Sequence, residues 1–152
     1  DCSFTGSLVE RETIDLTQEC TTSLGLRFSE TLAFDFIALY DRGSSLDAIS
    51  GTYQMSSGSV LSIAADGEVF MQDAVTDCVT NGRVIIMVSR SNLYRVTLQH
   101  DSCTGPEAVL NGANFSGFAL LDDTGTTDVL VAATIGDAGG TAVSLLQQGA
   151  RL

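Results

Sequence analysis

The feature that most constrains this chain is the recurrence of turn chemistry across Gly51 to Leu152, with β-branched and aromatic residues on alternate positions between the turns. Turns spaced by roughly 8 to 12 residues leave room for short strands and none for helices of ordinary length. The clearest stretch is Asn81 to Leu98, where Asn81-Gly82 precedes the run Val84, Ile85, Ile86, Met87, Val88 and a second run through Leu93, Tyr94 and Val96. Asn-Gly is the strongest short signal for a two-residue hairpin, because both central residues of a type I′ turn need positive φ. The stretch therefore predicts a three-stranded meander: a strand near Val75–Thr80, a turn at Asn81-Gly82, and two strands beyond it.

The same reasoning places strands at Gly51–Met55, Val60–Ala64 and Glu68–Gln72, separated by Ser56-Ser57-Gly58 and Asp66-Gly67. Further strands are expected at Phe115–Leu121, Val129–Ile135 and Thr141–Leu146. Asn111-Gly112, Asp122 to Asp128 and Gly136 to Gly140 supply the turns. Before them, Asp41 to Ser45 is turn chemistry, and Ser45 can cap a short helical turn over Leu46 to Ile49. About nine strands result from Gly51 onward. Consecutive hairpins without long crossovers predict an all-β fold, an up-and-down antiparallel β-barrel or a sandwich, and closure into a barrel removes exposed edges.

The first third is less regular. Phe4, Leu8, Val9, Ile14 and Leu16 mark a strand or two around the charged Glu10, Arg11 and Glu12, and residues 1–23 read as an irregular N-terminal arm. From Leu24 to Tyr40 the even positions are apolar with the exception of Glu30, which predicts one long bent strand or two strands broken near Ser29-Glu30. Leu32, Phe36 and Leu39 also fit helical spacing. At 152 residues the chain has the length of one domain, with the barrel expected over residues 24–152.

A net charge of −12, from 19 acidic and 7 basic residues, repels phosphate backbones and anionic headgroups, so nucleic acid is an unsuitable partner. No apolar run reaches the length of a transmembrane helix. The four cysteines, Cys2, Cys20, Cys78 and Cys103, lack Cys-x-x-Cys spacing and have only His100 as a possible imidazole companion, which argues for disulfides over zinc. Of three connectivities, Cys2–Cys20 with Cys78–Cys103 closes local loops, and the meander carries Cys78 and Cys103 to one end of the sheet. Disulfides imply an oxidising compartment.

Gly51-Thr52-Tyr53, Leu61-Ser62-Ile63, Asp66-Gly67, Cys78, Asn81-Gly82, Asn92-Leu93-Tyr94-Arg95-Val96, Cys103 and Gly117-Phe118-Ala119 together resemble a recurring β-domain of exported Gram-negative bacterial proteins and lipoproteins. The likeness covers about the last 110 residues, with Tyr40 to Leu46 resembling the lead-in of such domains. It implies an envelope or extracellular location and a disulfide, and no activity. A looser likeness is to lipocalin and avidin-type barrels, which open with Gly-x-Trp where this chain has Tyr53. A lipoprotein carries its lipid on the first residue of the mature chain, whereas here Asp1 precedes Cys2, which casts Cys2 as a disulfide partner.

Candidate chemistry is sparse. His100 shares strand parity with Tyr94, Val96 and Leu98, and no Gly-x-Ser-x-Gly elbow supplies a nucleophile for it. Asp122, Asp123 and Asp128 form a weak calcium candidate in a loop, without the ligand alternation of an EF-hand. Asn114-Phe115-Ser116 matches a glycosylation acceptor, which carries no meaning in a bacterial chain. Phe28, Phe34, Phe36, Tyr40, Tyr53 and Tyr94 are candidates to line a ligand cavity, although small barrels fill their interiors with such side chains. The expectation is a non-catalytic extracytoplasmic structural or interaction domain, in the periplasm, on the cell surface or secreted. It uses no cofactor and associates with a protein partner or with itself through the N-terminal arm. The alternative is a lipocalin-like carrier of a small hydrophobic ligand.

Overall fold

The computed structural model describes residues 2–22 and 24–152. Asp1, which the sequence sets before the Cys2 disulfide, and Ser23, the expected end of the arm, lie outside the described residues. The first three strands, β1 (Cys2–Val9), β2 (Thr13–Thr21) and β3 (Arg27–Asp35), pair antiparallel in the order β1-β2-β3. The charged Glu10-Arg11-Glu12 segment makes the first turn, with Arg11 at φ 59° and the Glu12 amide donating to the Val9 carbonyl at 3.1 Å. The arm is therefore a regular sheet. Residues 27–35, expected in the barrel, are its third strand.

That exchange follows from register. Leu32 and Phe34 sit opposite Leu16 and Ile14, which in turn face Gly6 and Leu8, so the even positions of all three strands form one apolar side. Pairing β3 elsewhere would leave Ile14 and Leu16 with cross-strand neighbours from β1 alone. Cys2 lies directly opposite Cys20 on the same side, and the two are joined in a disulfide. The helical alternative for Glu30 to Tyr40 applies only at its end, where Ala38–Asp41 makes a 3-10 turn.

The remaining strands are β4 (Gly51–Met55), β5 (Val60–Ile63), β6 (Glu68–Gln72), β7 (Val79–Ile86), β8 (Tyr94–Asp101), β9 (Asn114–Asp122), β10 (Val129–Ala138) and β11 (Thr141–Arg151). Each pairs antiparallel with its sequence neighbour, and β11 returns to β4 through Gly149↔Met55, Ala150↔Gln54 and Arg151↔Tyr53, closing an eight-stranded barrel. The chain divides into two compact units, Asp1–Ala38 and Leu39–Leu152, where its length suggested one. Each has its own hydrogen-bond ladder and its own disulfide.

Asn81-Gly82 is not a turn. Both residues lie inside β7, paired with Gln99 and Leu98 on one side and with Phe70 and Val69 on the other. A Cβ at Gly82 would overlap the Thr97 carbonyl oxygen and stand 2.7 Å from Leu98 Cδ2. The glycine serves close approach of two backbones where the closing sheet bends, a second use of glycine in strands. The predicted three-strand meander is thus a two-strand hairpin, and the barrel has eight strands instead of nine. Cys78 and Cys103 still meet, because they flank antiparallel neighbours β7 and β8 on the side of the Val79↔Asp101 pair.

The turns at Asp66-Gly67 and Gly139-Gly140 form as expected: Gly67, Gly139 and Gly140 have φ of 87°, 61° and 83° in hairpin turns. Ser45 caps the short helix α1 (Leu46–Ile49), its hydroxyl accepting from the Ala48 amide at 3.0 Å. Alternate residues point into the barrel, as along β8, where Tyr94, Val96, Leu98 and His100 are buried and the residues between them exposed. Tyr53, Met55, Leu61, Ile63, Val69, Met71, Val84, Phe115, Ala119, Leu121, Leu130 and Ala132 fill the rest of the interior.

Candidate functional site

The barrel interior carries three polar residues, Thr80, His100 and Thr134, all at least nine-tenths buried. Thr80 and His100 are opposite one another in the β7–β8 ladder, and Thr80 Oγ1 lies 2.9 Å from His100 Nδ1. Phe115 meets the imidazole edge-on at 5.0 Å between ring centroids. Burial lowers the His100 pKa, opposed by the charge of Asp101, so the ring is neutral. Its Nε2 has no hydrogen-bond partner among the described residues. A general base needs a nucleophile and an orienting carboxylate around it, and the described surroundings of this ring are a threonine, a phenylalanine and aliphatic chains.

One end of the barrel is closed by the segment from Leu39 to Ser50. Tyr53 donates its hydroxyl to the Ile49 carbonyl at 2.6 Å, and Tyr94 donates to the Ser45 carbonyl at 3.1 Å while accepting from the Ser45 amide at 3.2 Å. Arg151, from the last strand, places its guanidinium carbon 5.4 Å from the Tyr53 ring centroid. From there it donates to the Ala48 carbonyl and, at 2.8 Å, to the Tyr53 hydroxyl, and it pairs with Asp128 at 3.0 Å. The Tyr53 and Tyr94 pKa values are raised by burial, with Arg151 opposing it at Tyr53 and the Ser45 backbone opposing it at Tyr94. These groups are bound to one another and to backbone, and they fasten the plug. Asn92 does the same for β9: its amide nitrogen donates to the Leu121 carbonyl at 2.6 Å and its oxygen accepts from the Leu121 amide at 3.2 Å.

The six aromatics expected to line a cavity separate. Tyr53 and Tyr94 are in the barrel core, Tyr40 is 46% exposed on the 3-10 turn, and Phe28 and Phe34 are about half exposed on the first sheet. Phe36 follows β3 and takes Arg11 over its ring at 5.5 Å. The three loop aspartates also serve separate partners. Asp122 accepts from the Thr124 hydroxyl at 2.6 Å and amide at 3.0 Å, Asp123 pairs with Arg42, and Asp128 pairs with Arg151. Among the described residues no three His, Cys, Asp or Glu side chains are gathered as metal ligands.

The surface that stands out is the even face of the first sheet. Phe4 (60% exposed), Leu8 (68%), Ile14 (37%), Phe28 (52%) and Phe34 (51%) share it with half-buried Leu16 and Leu32 and with the Cys2–Cys20 disulfide. Only Gln18 and Glu30 are polar there, whereas the odd face carries Asp15, Glu19, Arg27 and Asp35. A second apolar area, an open groove of about 750 Å³, lies on the outside of the barrel along Phe118, Ala133, Ile135 and Leu146, with Arg95 and Thr97 at its margin.

Sequence alternation reveals the even face once β3 is paired with β2; the grouping of strands is what alternation alone leaves open. Arg151, Asn92 and Thr80 carry no local signal, since each acts on a residue distant in sequence. No protein-family model matches the chain, and no curated protein or solved structure matches it. No described helix is long and apolar enough to cross a membrane. The two disulfides place the folded chain in an oxidising, extracytoplasmic environment.

Proposed function

We propose that this chain is a non-catalytic interaction domain of an extracytoplasmic assembly, with the barrel as its scaffold and the N-terminal sheet as its contact element. The observation that carries this reading is the concentration of exposed Phe and Leu side chains on one face of a three-stranded sheet whose other face is charged. Exposed apolar clusters of this kind mark interaction surfaces. The edge of the sheet supports it too. Strand β3 carries Arg27, Glu30 and Asp35, the charges that normally blunt an edge, while β1 (Cys2–Val9) has neither charge nor proline. Such an edge suits the addition of a strand.

The interior supports the same reading over a carrier, because Tyr53, Tyr94, Phe115 and the aliphatic core occupy the space a ligand would need. The resemblance to exported bacterial β-domains is consistent with a periplasmic, surface or secreted setting. The test compares the full chain with residues 39–152, which retain the closed barrel and the Cys78–Cys103 bridge. Light scattering and co-purification with envelope proteins should show an assembly with the full chain that is lost with residues 39–152. Equal assembly by both would refute a contact role for the sheet. Native mass spectrometry addresses the carrier: a bound small molecule retained by the full chain would favour that reading instead.

A further inference from the structure

We propose that the even face of the N-terminal sheet is covered by the same face of a second copy of this chain, forming a two-layer β-sandwich across a two-fold axis. The inference rests on the interaction role assigned to that sheet above and names its partner. Three observations lead to it.

The first is layering. Among the described residues the first unit is a single three-stranded sheet with no second layer of its own. It has one disulfide, and its largest apolar side chains are open to water. A sheet with one apolar face is stable when that face is packed against another layer.

The second is area. Three strands of eight or nine residues project to roughly 400 Å² from strand spacing and rise. Two such faces in contact bury about 1,000 Å² once side-chain relief is counted, the lower bound for a specific interface. A smaller partner surface falls short of that bound. An identical face meets it.

The third is charge. The chain carries −12 overall, so a second copy is repelled by most of this surface. The even face is the exception on this sheet: its only ionisable side chain is Glu30, which sits on edge strand β3 where the carboxylate can turn to water. Face-to-face packing directs Asp15, Glu19 and Asp35 of both copies outward, on opposite sides of a sandwich whose layers are about 10 Å apart.

The test is sedimentation equilibrium of the full oxidised chain from about 1 to 200 µM, alongside the variants Leu8→Lys, Phe28→Lys and Thr17→Lys. Leu8 and Phe28 are exposed on the even face, and Thr17 is on the odd face. The expected result is a mass rising with concentration towards twice the 15.9 kDa chain, abolished by Leu8→Lys and Phe28→Lys and kept by Thr17→Lys. Circular dichroism and retention of both disulfides confirm that the variants fold. A wild type that stays at 15.9 kDa overturns the proposal, as does a dimer that the even-face variants leave intact. The two readings separate by co-purification. A monomeric chain that holds an envelope protein, and loses it with Leu8→Lys, refutes the second copy while keeping the sheet as a contact element. A monomer with no partner refutes both.

Discussion

His100 is a costly side chain to bury, because an imidazole at 4% exposure keeps one nitrogen without a partner among the described residues, as are Thr134 Oγ1 and Arg151 Nε. Its folded-state pKa lies below the ordinary 6.5. As pH falls below about 6.5 the unfolded chain takes up a proton that the folded barrel still refuses, so stability declines until the lower folded pKa is passed. Carboxylates contribute only at lower pH: Asp73, held to about 2 by the Ser59 hydroxyl and by the Thr76 and Val75 amides, acts below about 4. Urea unfolding at pH 7 and pH 5 should therefore show a loss of stability that is absent in the double variant His100→Leu/Thr80→Val. At pH 7 that variant should fall within about 1 kcal/mol of wild type, since both hydrogen-bond partners are removed together. His100→Leu alone orphans the Thr80 hydroxyl and should be about 1–3 kcal/mol worse than the pair. An unchanged pH 7 to pH 5 difference in the double variant would assign the slope elsewhere. The strand parity of His100 with Tyr94, Val96 and Leu98 made its burial legible in the sequence. Its companion Thr80 was not, because their pairing depends on the β7–β8 register.

At the scale of elements, the informative departure concerns Asn81-Gly82. A glycine is selected both where φ must be positive and where two backbones approach too closely for a Cβ, and a single sequence does not separate the two. Gly58 and Gly140 are of the first kind, Gly82 and Gly117 of the second, and Gly67 meets both conditions; a Cβ at Gly117 would lie 2.7 Å from the Thr134 Cα. The turn reading and the strand reading make opposite forecasts for substitution. In a type I′ turn, Asn81→Thr would be the harmful change. Inside β7, Asn81 points outward and is exposed, so Asn81→Thr should alter stability by no more than about 0.5 kcal/mol. Gly82→Val should cost more than about 3 kcal/mol or prevent barrel closure, because overpacking here displaces a backbone carbonyl and not a flexible side chain. Denaturant midpoints of the two variants check this. The strand grouping of residues 27–35 failed for a related reason. Alternation marked these residues as a strand, but the choice of partner is written in the match of two registers, Thr13–Thr21 against Arg27–Asp35.

For the whole molecule the dominant long-range force is charge repulsion, with 19 acidic groups against 7 basic ones. Two effects of salt compete. Screening weakens the ion pairs Arg42–Asp123 and Arg151–Asp128, whose side chains are between about a quarter and a half exposed; pairs of this kind are worth about 0–1 kcal/mol each. Screening also relieves repulsion among the carboxylates that outnumber the cations by more than two to one. At 20 mM salt the screening length is roughly 20 Å, comparable with the size of the barrel, and at 300 mM it is below about 8 Å. The excess acidic groups repel over that longer distance, whereas each ion pair acts at one contact, so repulsion outweighs the ion pairs. Raising sodium chloride from 20 to 300 mM at pH 7 should then increase the melting temperature of the full chain by several degrees. The same change should tighten self-association, because two copies of a chain carrying −12 repel at low salt. Calorimetry together with sedimentation at the two salt concentrations checks both. A melting temperature that falls would mean that the two ion pairs, and the Arg151 contacts at the barrel plug in particular, outweigh the net charge.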